Sequence, residues 1–129
     1  MPDTALEGRA ILIVEDEYMI AADLKKEFVR AGAIVVGPAP SLEKAIDLIE
    51  QAPRIDGAIL DISLQGENIF PAADLLSARG VPFLFATGYD QSVIPPRFDD
   101  VVRCEKPIGP DRLSQSLATI IRNPTSLKD

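Results

Sequence analysis

Ala10-Ile-Leu-Ile-Val14, followed at once by Glu15-Asp16-Glu17, is the stretch on which the fold turns. An apolar run without polar alternation describes a short strand covered on both faces, as in a parallel sheet flanked by helices. Carboxylates directly after such a strand stand at its C-terminal end. Outward from this stretch, strand and helix signals alternate. From about Glu17 to Ala31, Ile20, Leu24 and Phe28 recur at every fourth position, giving one apolar helix face that Gly32 stops. Ala33 to Val36 is a second strand, closed by Gly37-Pro38. Ser41 N-caps a second helix striped by Leu42, Ala45, Ile46 and Ile49, with Pro53 just past its end. Gly57 to Leu60 is a third strand, and a helix runs from about Ile69 to Ala78 before Gly80. Pro82 to Ala86 and Val101 to Cys104 are the fourth and fifth strands. Pro110 or Asp111 opens the last helix, striped by Leu113, Leu117, Ile120 and Ile121 and ended by Pro124.

Five apolar strands separated by helices imply parallel β-α crossovers and a three-layer α/β domain. The 129 residues suit one domain, with a core over about 9–122 and a frayed tail from Asn123 to Asp129. A net charge of −7 argues against a nucleic-acid partner. The chain has no histidine and a single cysteine, Cys104, which excludes Ser-His-Asp and Cys-His catalysis and a Cys/His zinc site. Chemistry must rest on carboxylates, hydroxyls, lysine, arginine and backbone. No intrachain disulfide can form, which suits a reducing cytosol. Cys104 reads as a small buried apolar residue. The first ten residues lack a signal-peptide core and no apolar run approaches a membrane span, so a cytoplasmic protein without membrane insertion is expected.

Open parallel sheets bind ligands beyond the C-terminal ends of their strands. Glu15 and Asp16 follow the first strand, Asp61 the third, Thr87-Gly88 the fourth, and Lys106 the fifth. Crowded carboxylates require a cation, and an all-oxygen site suits Mg2+ or a similar hard ion. Such an ion neutralises an incoming phosphoryl group, an aspartate can accept it covalently, and a hydroxyl and an ammonium can hold its oxygens. These are the parts of a Mg2+-dependent aspartyl-phosphorylation site. Neither Gly-x-Gly-x-x-Gly nor Gly-x-x-x-x-Gly-Lys occurs, so nothing points to a nucleotide.

Four motifs in order, Ile11-Leu-Ile-Val-Glu-Asp-Glu17, Ala58-Ile-Leu-Asp61, Phe85-Ala-Thr-Gly-Tyr89 and Glu105-Lys-Pro107, resemble the response-regulator receiver domain of bacterial two-component signalling. The resemblance covers about Arg9 to Arg122. It implies a doubly wound five-stranded parallel sheet in the order 2-1-3-4-5. It implies Asp61 as phospho-acceptor, Asp16 and Glu15 as the acidic pair holding Mg2+ directly and through water, and the Ser63 backbone carbonyl as a further ligand. Thr87 becomes the switch hydroxyl, Lys106 the phosphoryl contact, and the Lys106-Pro107 bond is expected to be cis. A histidine kinase or a phosphotransfer protein is the implied donor and an unidentified protein the target. The resemblance further implies a chain that takes part in phosphotransfer and autodephosphorylation without being a conventional turnover enzyme.

Two departures set it apart. Receivers typically carry an aromatic switch residue three positions before the lysine, where this chain has Arg103. Pro95-Pro96 allows the usual fourth helix one turn at most, or none. With Phe85-Ala-Thr-Gly-Tyr89 these resemble the "FAT GUY" receivers, which occur alone or fused to a sigma-factor-like domain, often beside histidine kinases of the HWE type. With nothing after Asp129, a stand-alone receiver is expected. The switch and partner surface is expected to include Tyr89, Val93, Ile94, Phe98 and Arg103. Tyr89 either packs within its loop or partly replaces the missing aromatic switch, and Arg103 is either a solvated strand-edge charge or a partner contact. A phosphorylation-independent binding module is the alternative function. An aspartate-nucleophile phosphatase fits poorly, because Ser63 stands where such enzymes carry a second aspartate.

Overall fold

The computed structural model describes residues 4–64, 66–88 and 94–123. Its elements alternate as the sequence predicts: β1 (Ala10–Val14), α1 (Tyr18–Arg30), β2 (Ile34–Ala39), α2 (Leu42–Gln51), β3 (Gly57–Asp61), α3 (Phe70–Ala78), β4 (Phe83–Thr87), β5 (Arg103–Glu105) and α4 (Pro110–Arg122). Between β4 and β5 the described residues form one 3-10 turn, Pro96–Phe98, where a fourth helix was expected to be short or absent. All strands are parallel, in the order β2-β1-β3-β4-β5. The order reverses at β1, so the crevice beyond β1 and β3 is the ligand position of this sheet.

Every residue of β1, β3 and β4 is buried, which is why these strands read as unbroken apolar runs. Their side chains alternate between two cores. Leu12, Val14, Leu60 and Phe85 face α2, α3 and the Pro96–Phe98 turn, whereas Ile11, Ile13, Ile59 and Leu84 face α1 and α4. Cys104 is buried in the second core, as expected. The edge strands β2 and β5 are only partly covered, and Ile34 stands 57% exposed. Leu6 is buried in the second core, and Gly8 N–H donates to Gly32 C=O at 2.9 Å, so the packed region begins ahead of the expected boundary near Arg9.

One strand boundary is corrected. Gly37-Pro38 reads as a terminator, yet β2 continues through it to Ala39. Leu12 pairs with Val36 and Val14 with Ala39, so β2 carries an extra residue against β1. Gly37 takes φ +97°, and a Cβ there would lie 2.8 Å from the Ala39 nitrogen and 3.1 Å from the Ile13 oxygen. Only glycine fits. The extension matters because Ala39 C=O then accepts from Glu15 N–H at 3.0 Å, fixing the backbone of the first acidic residue. Among the described residues, no helix is long and apolar enough to cross a membrane.

Candidate functional site

Four of the five strands deliver a polar residue to the same edge. β1 ends at Val14, and the next residue, Glu15, is buried while Asp16 is half-buried. Asp61 is the last residue of β3, 1% exposed and in register with Ala86 of β4. Its Oδ1 accepts from Ser63 N–H at 2.9 Å, a local Asx-type turn that fixes the carboxylate. Carboxylate oxygens of Glu15, Asp16 and Asp61 all lie within 4.8 Å of one another. Thr87 ends β4, and its carbonyl accepts from Lys106 N–H at 2.7 Å, which sets the lysine opposite the acidic group. The Lys106-Pro107 bond is cis, as expected, and so is Gly37-Pro38. A cleft of about 530 Å³ opens beside the group, lined by Glu15, Ser63, Gly88 and Lys106 and backed by Ile20 and Ile108.

Lys106 Nζ donates to Glu15 Oε1 at 3.0 Å and lies 3.2 Å from Asp61 Oδ2. The second contact is an ion pair without hydrogen-bond alignment, so Asp61 Oδ2 has no hydrogen-bond partner among the described residues. Burial pushes the Glu15 carboxyl up to about 7. Its acceptance from Glu17 N–H and from Lys106 pulls the other way, and the nearby Asp61 charge adds to the rise. Burial tends to lower Lys106, but its hydrogen bond to Glu15 and the charge of Asp61 outweigh that and raise it. Three carboxylates around one ammonium therefore leave an excess of negative charge in a shielded crevice. The Thr87 hydroxyl is buried with no hydrogen-bond partner among the described residues. A buried polar group left unpaired is unusual, and at a strand end beside an acidic crevice it marks a place for an added ligand atom.

The structure thus brings together Glu15, Asp16, Asp61, Ser63, Thr87 and Lys106. Tyr89 and Val93 lie outside the described residues. Of the other expected partner-surface residues, two are buried here and one is paired. Ile94 is 7% and Phe98 3% exposed, so neither is a surface residue. Phe98 stacks on Phe70 at 5.6 Å and meets Phe85 edge-on at 5.5 Å, as part of the first core. Arg103 is not a plain solvated charge: its Nη2 donates to the Phe98 carbonyl at 3.1 Å, and Asp99 lies 3.8 Å away. Sequence reading also missed Glu67, whose Oε1 accepts from Leu42 N–H at 3.1 Å at the start of α2. The interval of 25 residues carries no local signal that could have revealed it.

No protein-family model matches the sequence. Among solved structures, SdrG from Sphingomonas melonis is 34% identical, with 97% of this chain and 98% of that chain covered and a TM-score of 0.72. A CheY-like response-regulator receiver domain protein from Methanospirillum hungatei gives a TM-score of 0.79 over 92% of this chain and 98% of that chain; at 22% identity it speaks for the fold alone. The transcriptional regulatory protein PdtaR of Mycobacterium tuberculosis is 27% identical over 113 residues, or 87% of this chain. The chain spans about half the length of that relative, 55% of it. The parallel sheet in its 2-1-3-4-5 order, the acidic crevice at its switch point and this likeness lead to one conclusion: the chain belongs to the response-regulator receiver family.

Proposed function

We propose that the chain is a phosphorylation switch in which a partner's phosphohistidine donates its phosphoryl group to Asp61. The observation that carries this reading is the convergence of Glu15, Asp16 and Lys106 on the buried Asp61 carboxylate, beside the unpartnered Thr87 hydroxyl. The donor set is all oxygen apart from the lysine, and Asp61 Oδ2 has no hydrogen bond among the described residues, which fits a hard divalent cation. Glu15, Asp16, Asp61 and the Ser63 carbonyl would hold Mg2+, which when bound supplies neutralisation of the phosphoryl charge.

The chain's own residues do the rest. Ser63 N–H holds the Asp61 carboxylate in a fixed orientation. A carboxylate oxygen bonds to phosphorus as the donor's phosphorus–nitrogen bond breaks, and the electron pair leaves with the imidazole. Lys106 transfers part of its pairing from Glu15 and Asp61 to the phosphoryl oxygens, and the Thr87 hydroxyl donates to another. The acyl phosphate is later hydrolysed, so Asp61 is restored without conventional turnover of a substrate. The added charge biases the segment around the Pro96–Phe98 turn and changes affinity for a target protein; a chain with no such target would serve as a phosphate sink. Phe85-Ala-Thr-Gly-Tyr89 and Arg103 support placing it among FAT GUY receivers served by a histidine kinase, HWE kinases included.

Intact-mass spectrometry with a small acyl phosphate and Mg2+ tests this. One phosphoryl adduct is expected on the wild type, lost in Asp61→Asn and lost without Mg2+. No adduct from the small donor or from a phosphorylated kinase would shift the assignment to a phosphorylation-independent binding module.

A further inference from the structure

β5 is three residues long, yet its two ends serve different places. Lys106, immediately after it, contacts Glu15 at 3.0 Å and Asp61 at 3.2 Å. Arg103, its first residue, donates to the Phe98 carbonyl at 3.1 Å. That carbonyl also accepts from Val101 N–H at 3.0 Å, so two donors hold the turn at one oxygen. β4 brackets the short strand, with Phe85 N–H on Val102 C=O at 3.0 Å and Lys106 N–H on Thr87 C=O at 2.7 Å. A three-residue strand fixed in this way has little slack between its ends.

Two further facts bear on Arg103. Its Nε is buried without a partner among the described residues, a cost that a guanidinium free to choose its position would not accept. Its place is therefore dictated by the strand it stands on. It also faces Phe85 across the β4–β5 ladder, and the Phe85 ring meets Phe98 two residues before the unpartnered Thr87. On its other side the turn is tied to α3, where Arg97 makes paired 2.9 Å bonds to Asp74 and lies over the Phe98 ring at 4.7 Å.

We propose that Arg103 is a latch, a positioning residue through which β5 couples the acidic crevice to the Pro96–Phe98 turn. A phosphoryl group that draws Lys106 off Glu15 and Asp61 shifts β5 along β4 and withdraws Arg103 from the Phe98 carbonyl. The turn then loosens and the Phe98 ring leaves its aromatic pocket. The latch replaces, with a guanidinium on a backbone oxygen, the rotating aromatic ring that Arg103 displaces in the sequence. It rests on the reading of Asp61 as phosphoryl acceptor.

Amide hydrogen exchange at Asp99 and Val101 tests it, because these N–H groups close the turn on Pro96 and Phe98. On the full chain with Mg2+ and acyl phosphate, phosphorylation of the wild type should speed exchange there about tenfold, the weight of one charged hydrogen bond. Arg103→Ala should exchange at the fast rate beforehand and gain nothing on phosphorylation. Arg103→Lys keeps a cationic donor for the Phe98 carbonyl and should restore the response, which a purely structural role would not require. A phosphorylation response in Arg103→Ala equal to that of the wild type would overturn the latch. Intact mass on the same samples separates the two readings. No adduct on the wild type overturns the acceptor assignment, whereas an adduct with unchanged exchange overturns the latch.

Discussion

Lys106 Nζ donates to Glu15 Oε1 at 3.0 Å across 91 residues of chain, and this pair stands over the Asp61 carboxylate. The lysine acts as an internal counter-ion in the crevice that a divalent cation would share. The two cations compete for the same carboxylates.

Lys106→Gln should therefore bind Mg2+ more tightly, by up to about tenfold, because a like charge a few ångströms away is removed. The same variant should accept phosphoryl from a small donor about a hundredfold more slowly, having lost the group that meets the phosphoryl oxygens. Calorimetric titration and intact mass measure the two effects. Weaker Mg2+ binding in the variant would show that the lysine positions the carboxylates and does not compete.

Glu15 gives stability a defined pH sign. Its carboxyl is raised from 4.5 to about 7 by burial, so the folded chain holds that proton more tightly than the unfolded chain. The contribution is fully present below about pH 4.5 and is lost as pH rises through about 7. In Mg2+-free buffer, Glu15→Gln should gain melting temperature relative to the wild type between about pH 5 and about pH 8. A wild type that gains on the variant over that range would mean that Lys106 outweighs burial.

Phe98→Ala should destabilise the fold by about 3–5 kcal/mol, the cost of emptying a packed aromatic site. A surface residue would cost less than about 0.5 kcal/mol. Urea unfolding distinguishes the two outcomes, and the small value would contradict the burial of Phe98 against Phe70, Phe83 and Phe85.

That contrast shows where sequence reading stopped. β1 was legible because a strand buried on both faces must be apolar throughout, and the acidic group was legible because parallel strands end on the same edge. Phe98 lies between Arg97 and Asp99-Asp100, without any apolar periodicity to mark it as core. Its burial is decided by Phe70 and Phe85, which are distant in sequence. Arg103 is one charge on a short edge strand, and its target is a backbone oxygen that no residue type announces. Gly37-Pro38 carries the ordinary signature of a strand end, and only pairing with β1 draws the chain on to Ala39.

Gly37→Ala should destabilise by about 1–3 kcal/mol, since a Cβ at φ +97° would press on the Ala39 nitrogen. Because Ala39 holds Glu15 N–H, the variant should also weaken Mg2+ binding. Chemical denaturation and calorimetry read both; an unchanged midpoint would show that the local backbone can relax around the methyl group.

The Glu67 cap on α2 restricts how sequences of this design can drift. The segment leaving Asp61 is anchored at its start, where Ser63 N–H meets the carboxylate, and again where Glu67 meets Leu42. Surface loops ordinarily absorb insertions and deletions. Here a change of length between Ser63 and Glu67 would strip a helix terminus of its acceptor or pull on the acceptor aspartate. Insertions or deletions in this stretch should accordingly cost more stability than substitutions within it.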